Sequence, residues 1–152
     1  MSMRYDIISD THGYLSPDLL DQLQGADVIV HAGDICSRSD YETLRAIAPV
    51  RLCLGNNDWA SDYGPEVKDR VTFFSSGLRW QVCHYRNRLK LRACDIAVFG
   101  HTHTPVLERE PLSGALLVNP GSPTYPRRSH PSMARIVCDE GKVVSSELIR
   151  LA

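Results

Sequence analysis

An α/β fold is predicted for this chain, and three observations predict it. Residues 1–54 alternate short apolar runs with amphipathic helical stretches in the order β-α-β-α-β, which implies parallel strands joined by right-handed helical crossovers. Residues 71–149 then carry seven further strand-like runs with little helical periodicity, which implies a second sheet packed on the first. A length of 152 residues suits one compact domain spanning 1–152, with a real core and little room for another.

Each element has its own justification. Residues 5–9 form a short run with Ile7 and Ile8, followed by the polar turn Asp10-Thr11-His12-Gly13. Ser16 is a suitable cap and Pro17 a suitable first residue for a helix whose apolar face is Leu19, Leu20 and Leu23, with Gly25 at its end. Residues 27–31 (DVIVH) read as a buried strand running into Ala32-Gly33-Asp34. Ser39 or Asp40 is expected to cap a second helix carrying Tyr41, Leu44, Ile47 and Ala48, stopped by Pro49. Residues 50–54 give a third strand, ending in Gly55-Asn56-Asn57-Asp58. Later strands are expected over 71–74, 78–84, 95–100, 106–109, 115–119, 133–138 and 143–149, with turns at Ser76-Gly77, Ser113-Gly114 and Glu140-Gly141. Residues 120–131 form a loop rich in Pro, Ser and Arg.

Composition narrows the function classes. The formal charge of −1 argues against a broad basic surface, and therefore against nucleic acid as the partner. No apolar run approaches the roughly 20 residues that span a bilayer. The N-terminus lacks an apolar signal core, so a cytoplasmic protein without membrane attachment is expected. Five scattered cysteines with no C-x-x-C pair read as free thiols in a reducing compartment. Cys53, Cys83 and Cys138 lie in apolar runs and should pack in the core; Cys36 falls near a strand-end motif and is given no chemical role.

The chemistry-bearing residues recur just after strands. The motifs are Asp10-x-His12, Gly33-Asp34, Gly55-Asn56-Asn57-Asp58, His84, and Gly100-His101-Thr102-His103. Ligands of α/β sheets gather beyond the carboxyl ends of strands, so all five point to one region. The set holds carboxylates, imidazoles and an amide but no thiolate, which suits Mn, Fe, Zn, Co or Ni better than Ca or a structural zinc. In D-x-H and H-x-H, alternate residues share one side of an extended backbone. Gly33, Gly55 and Gly100 allow tight turns where the backbone nears a site. Singly, each motif has a plainer reading: a turn cap, a loop, a half-buried histidine or a lone zinc site. Their order and spacing together carry the argument.

That order, D-x-H, GD, G-N-x-D, H and G-H-T-H, resembles the calcineurin-like metallophosphoesterase superfamily. It is most similar to the small single-domain bacterial and archaeal branch that also contains the phosphoesterase-like subunit of retromer. The likeness runs from IISDTHG to NPGSPTYPR, with Asn119 to Ser122 and Pro126-Arg127 typical of the branch. The resemblance implies a four-layer α/β/β/α sandwich of two mixed sheets. It implies two divalent ions, with Mn first and Fe, Ni, Co or Zn as alternatives. Asp10, His12, Asp34 and His103 would hold one ion; Asp34, Asn56, His84 and His101 would hold the other, with Asp34 as the bridge. Two ions about 3.5–4 Å apart can clamp a phosphoryl group while an attacking hydroxide lies between them, in line with the leaving oxygen.

The chain departs from the family in two places. Many relatives have G-N-H-D, where the histidine contacts phosphate and assists the leaving group. Asn57 stands here instead; an amide can bind an oxygen but is no useful acid near neutral pH. Asp58 reads as a turn residue or a support for the ligands. Residues 85–93 replace a longer helical crossover with a basic stretch carrying Tyr85, Arg86, Arg88, Lys90 and Arg92, so a shortened helix or a loop is expected. His31 reads as structural or as a support behind the ligand turns. Arg127 and Arg128 are candidates for binding phosphate oxygens, although a solvated loop explains them nearly as well. The expected activity is hydrolysis of a small-molecule phosphate ester, a diester before a monoester, with Asp34 and Asn57 as catalytic residues and Asn57 and Arg127 as substrate contacts. A silent binding scaffold is the alternative, and the filled ligand positions speak against it. A homo-oligomer is compatible with the sequence, which does not name the substrate.

Overall fold

The computed structural model describes residues 1–152. Ten strands and two α-helices follow in the order β1 (Met3–Ile8), α1 (Pro17–Leu23), β2 (Val28–His31), α2 (Arg38–Ile47), β3 (Val50–Leu52), β4 (Arg70–Ser75), β5 (Leu78–Cys83), β6 (Ile96–Val98), β7 (Val106–Arg109), β8 (Leu116–Asn119), β9 (Ser132–Asp139) and β10 (Lys142–Arg150). They form two five-stranded sheets, ordered β10-β9-β1-β2-β3 and β4-β5-β6-β8-β7. Both are mixed. β1, β2 and β3 run parallel, as do β5, β6 and β8, and the remaining strands pair antiparallel at the edges. The β9–β10 hairpin returns to the first sheet rather than extending the second. No helix is long and apolar enough to cross a membrane.

Period-2 alternation divides the strand residues between layers. Tyr5, Ile7 and Val30 of the first sheet meet Trp80, Ile96, Val98, Leu116 and Val118 of the second in the inter-sheet core of 16 buried residues. Ile8 and Ile29 face the other way and pack with Leu19, Leu23 and Leu44 of the helices, in a core of 13. The outer face of the second sheet is covered far more thinly, by a cluster of 5: Cys94, Ala97, Phe99, Ala115 and Leu117. Two single 3₁₀ turns, Arg86–Arg88 and Leu91–Ala93, lie there instead of a helix. Leu89 and Leu91 pack on this small-residue face, so little covering chain is required.

The helix ends show how sequence became structure. α1 is capped by the Ser16 side chain, with Pro17 first, as expected. Its C-terminal carbonyls are met by arginines: Arg4 donates to Gln22 O and Gln24 O, and Arg135 to Gln22 O. Both guanidiniums also pair with the fully buried Asp6, so that its charge is compensated. α2 begins earlier than expected. Ser37, not Ser39 or Asp40, is the cap: its Oγ accepts from Asp40 N at 3.1 Å, and Asp40 is an acid of the first turn. Cys53, Cys83 and Cys138 are buried as expected, Cys94 joins them, and Cys36 is exposed.

Candidate metal centre

The carboxyl ends of the parallel strands of both sheets converge, and each supplies one turn. Asp10 and His12 follow β1, Asp34 follows β2, and Asn56 and Asn57 follow β3. His84 follows β5, and His101 and His103 follow β6. Asp10, His12, Asp34, His101 and His103 all have positive φ, between 50° and 69°, without being glycine. Such strain at five residues of one cluster is characteristic of a built site. The turns also pass too close for side chains. A Cβ on Gly55 would lie 2.1 Å from Asp34 Oδ1, and one on Gly100 would lie 2.1 Å from Ser9 Oγ.

Two compact groups of donor atoms result, Asp10–His12–His103 and Asp10–Asp34–His84, each with its atoms within 4.8 Å of one another. His103 Nε2 is 3.3 Å from Asp10 Oδ1. His12 Nε2 is 3.8 Å from Asp10 Oδ1 and 3.7 Å from Asp34 Oδ2. His84 Nε2 is 3.5 Å from Asp34 Oδ2 and 3.0 Å from Asn56 Oδ1. Asp34 Oδ2 thus faces histidines of both groups. His101 stands apart: its main-chain N–H donates to Asp10 Oδ2, while its ring packs against Tyr85 and His84.

The donors fit divalent cations. Asp10 Oδ1 and His12 Nε2 are buried and lack any hydrogen-bond partner, an expensive state without an ion or proton to bind. His84 Nδ1 is directed at Ala32 O (2.7 Å) and His103 Nδ1 at Tyr125 O (2.6 Å). Those bonds commit each Nδ1 to its proton and aim each Nε2 at the carboxylates. His84 Nε2 consequently faces two oxygens, and only a proton or a cation between them makes that arrangement favourable. Burial lowers the His84 pKa, but Asp34, Asp10 and the Ala32 carbonyl outweigh it, and the net shift is upward. Burial raises the Asp34 pKa, yet hydrogen bonds from His84 and Asn57 hold the carboxyl well below its ordinary range. Asp34 is therefore ionised at neutral pH.

A supporting ring fixes these groups. Asp58, expected as a turn or support, accepts from Asp34 N, Gly55 N and Cys36 N at 2.7–2.9 Å, joining the turns after β2 and β3. His31 Nδ1 accepts from Gly33 N, and its Nε2 bonds Thr11 Oγ1 at 2.9 Å. Full burial, aided by the nearby His84 charge, pushes the His31 pKa down to about 3, so the ring is neutral and structural as expected. Asn57 donates from both its main-chain N and Nδ2 to Asp34, at 2.9 and 3.0 Å. Arg127 is exposed and has no hydrogen-bond or ion-pair partner, and Cys36 Sγ lies 3.8 Å from His12 Nδ1.

Sequence reasoning did not assign roles to Asn119, Ser122 and Thr124. Asn119 Nδ2 donates to Gly100 O and Thr102 Oγ1, bracing the turn that carries both histidines. Ser122 Oγ donates to Asp10 O and accepts from Thr124 N and Tyr125 N; Thr124 Oγ1 donates to Thr11 O. The Asn-Pro-Gly-Ser run was the available signal, and its purpose is to hold two distant ligand turns in register.

The sequence profile of the calcineurin-like phosphoesterase superfamily domain matches residues 3–141. The chain belongs to that superfamily. A probable metallophosphoesterase of Methanocaldococcus jannaschii is 33% identical over 138 residues, covering 83% of this chain and 71% of the relative. A second, from Methanothermobacter thermautotrophicus, is 31% identical and covers 97% and 92%. The fold is shared with Vacuolar Protein Sorting 29 of Cryptosporidium parvum, at TM-score 0.78 and 18% identity over 98% of both chains. An archaeal phosphodiesterase superposes at TM-score 0.69 and 21% identity, over 97% of this chain and 100% of that one. This superfamily is metal-dependent, and the α/β fold of two mixed sheets is the one that its motifs implied.

Proposed function

We propose that this chain is a phosphodiesterase that works with two divalent ions, Mn in first place. Asp10, His12, Asp34 and His103 would hold one, and Asp34, Asn56, His84 and His101 the other. The observation that carries the reading is the pair of orphaned buried atoms, Asp10 Oδ1 and His12 Nε2, facing imidazoles already aimed by carbonyl bonds. A relative named as a phosphodiesterase in M. jannaschii, 26% identical over 143 residues, supports the substrate class. When bound, such ions supply the nucleophilic water and neutralise charge on the phosphoryl oxygens.

The chain's own residues do the rest. Asp10 belongs to both donor groups, and Asp34, whose Oδ2 faces His12 of one and His84 of the other, would serve as the bridging carboxylate. Asn57 spends one amide proton on Asp34 Oδ2 and keeps another for a phosphoryl oxygen. It has no proton to give a departing alkoxide, so turnover depends on a leaving group that departs unassisted. Activated aryl diesters are therefore favoured over alkyl monoesters. The complete donor set weighs against a silent scaffold.

The test is to strip the protein of metal, add back Mn, Fe, Co, Ni and Zn singly, and assay bis(4-nitrophenyl) phosphate beside alkyl monoesters. Mn-dependent hydrolysis of the diester is expected. Failure of every ion to bind, or faster turnover of alkyl monoesters, would overturn the reading.

A further inference from the structure

A cleft of about 190 Å³ opens directly beside the donor cluster, lined by Leu54, Gly55, Asn56, Asp69, His84, Tyr85 and Arg88. Asn56 and His84 belong to both, so an ester arm of a phosphoryl group bound at the centre can enter it; a second cleft of about 170 Å³, which shares Asn56 and is lined by Asn57, Asp58 and Trp59, offers a place for the other arm. Water occupies about 30 Å³ per molecule in the liquid, so the first cleft takes a small ring or a single anionic group.

Its lining includes one cation, Arg88. The Arg88 guanidinium lies 4.8 Å over the Tyr85 ring. That ring is itself 4.7 Å from the His101 ring, at a tilt, and 5.2 Å from the His84 ring, edge-on, so a run of ring contacts leads outward from the donor cluster. The backbone of Arg88 is fixed from both sides: its N–H donates to Tyr85 O at 3.2 Å, and its O accepts from Arg70 Nη2 at 2.6 Å. Arg88 has no ion-pair partner among the salt bridges of the fold, and its side chain is exposed. A guanidinium engaged through its face keeps its edge donors free for a planar anion. Arg86, Lys90 and Arg92 share the segment, but none lines the cleft. Asp69 is the one carboxylate among the lining residues outside the donor cluster. It repels anions, so a preference for an anionic arm requires the Arg88 guanidinium to outweigh it.

We infer that Arg88, positioned by Tyr85, is a specificity residue that selects phosphodiesters bearing a second anionic group, a carboxylate or phosphate, on the arm lying over Asn56 and His84. The inference rests on the phosphodiesterase reading, and it makes the shortened crossover 84–95 the source of substrate choice.

Two slowly hydrolysed probes with identical arms remove any question of orientation: bis(4-carboxybenzyl) phosphate and bis(4-carbamoylbenzyl) phosphate. Their binding to the Mn-loaded full chain is measured by calorimetry for wild type, Arg88→Gln, Arg86→Gln and Arg92→Gln. Wild type should prefer the carboxylate probe by about tenfold or more, the scale of one charged hydrogen bond. Arg88→Gln should abolish the preference, while Arg86→Gln and Arg92→Gln keep it. No preference in wild type, or an equal loss in all three variants, overturns the inference. Hydrolysis of bis(4-nitrophenyl) phosphate by the same samples reports on the phosphodiesterase reading separately. A protein that shows the Arg88-dependent preference without that hydrolysis retains the recognition site and loses the assigned chemistry.

Discussion

The Asp10 side and the Asn56 side of the donor cluster are built to different standards. On the Asp10 side, Asp10 is fully buried, Ser9 Oγ and His101 N occupy its Oδ2, and Oδ1 is left without a partner, as is His12 Nε2. On the Asn56 side, His84 Nε2 already faces Asn56 Oδ1, Asn56 is exposed, and the His101 ring leans on Tyr85. The first half keeps two buried donor atoms without a hydrogen-bond partner, which an ion would satisfy. The second can be satisfied by one proton on His84 and must rearrange to close around an ion. Preorganisation favours binding by removing that cost beforehand, so the Asp10 half is expected to be the tighter site.

Removing what the halves share gives the largest effect. Asp34→Asn replaces an ionised carboxylate that faces His12 and His84 with a neutral amide. Activity with Mn should fall by about 10³-fold or more, because both proposed sites would lose a charged ligand at once. Far-UV circular dichroism should be unchanged, since the residue lies beyond a strand end. Near-normal turnover of purified, metal-loaded Asp34→Asn would show that the halves do not depend on this carboxylate.

Removing one histidine from each half breaks the comparison directly. His103→Ala should weaken the tighter of two binding events seen by calorimetry. His101→Ala should leave that event intact and weaken only the second. Losing a direct ligand should cost more than the roughly 10–100-fold typical of a supporting partner. If both variants weakened the same event, the two halves would be one site. A smaller effect comes from Asn57→His, which places an imidazole beside Asp34. A general acid contributes about 10²–10⁴-fold in a site evolved for it. An added ring without supporting partners should reach at most the lower end, and only on alkyl esters. Comparing kcat/KM for alkyl and aryl esters in both proteins decides this; equal gains on both would mean that the ring acts on binding alone.

Why one half is better prepared was only partly legible in the sequence. Strands and ligand turns were visible because apolar runs and Gly-flanked motifs are local signals: Ile7-Ile8 before Asp10, and 96–99 before His101. The missing helix after His84 was also visible, since the basic stretch 85–93 falls short of the length of a parallel crossover. The return of β9–β10 to the first sheet was not, because alternation reports which face a residue occupies and never which strand lies beside it. The supports were equally hidden. Ser122 grips Asp10 O across 112 positions, and Thr124 grips Thr11 O across 113. No local pattern encodes such a pairing. The α2 cap moved to Ser37 because two serines and an acid compete within four positions, and only the turn after Asp34 decides among them.

The smallest expected effect tests the bond that joins the two halves from behind. His31 bonds Thr11, in the turn after β1, and Gly33, in the turn after β2. Its folded-state pKa is about 3 against 6.5 for an ordinary histidine, chiefly through burial, with the nearby His84 charge adding to it. The unfolded chain thus binds a proton at His31 that the folded chain refuses. Its contribution to stability is complete above about pH 6.5 and is lost as pH falls from there toward 3. Within that window one group changes stability by at most about 1.4 kcal/mol per pH unit. Carboxylates held low, such as Asp34, lose stability in the same direction, but they are common to wild type and variant. Urea unfolding of chelator-treated His31→Gln should therefore show a shallower loss of stability than wild type between pH 6 and 4, whatever its stability at pH 7. Equal slopes would mean that the buried ring accepts a proton in the folded state, and that the link between the two turns tolerates charge.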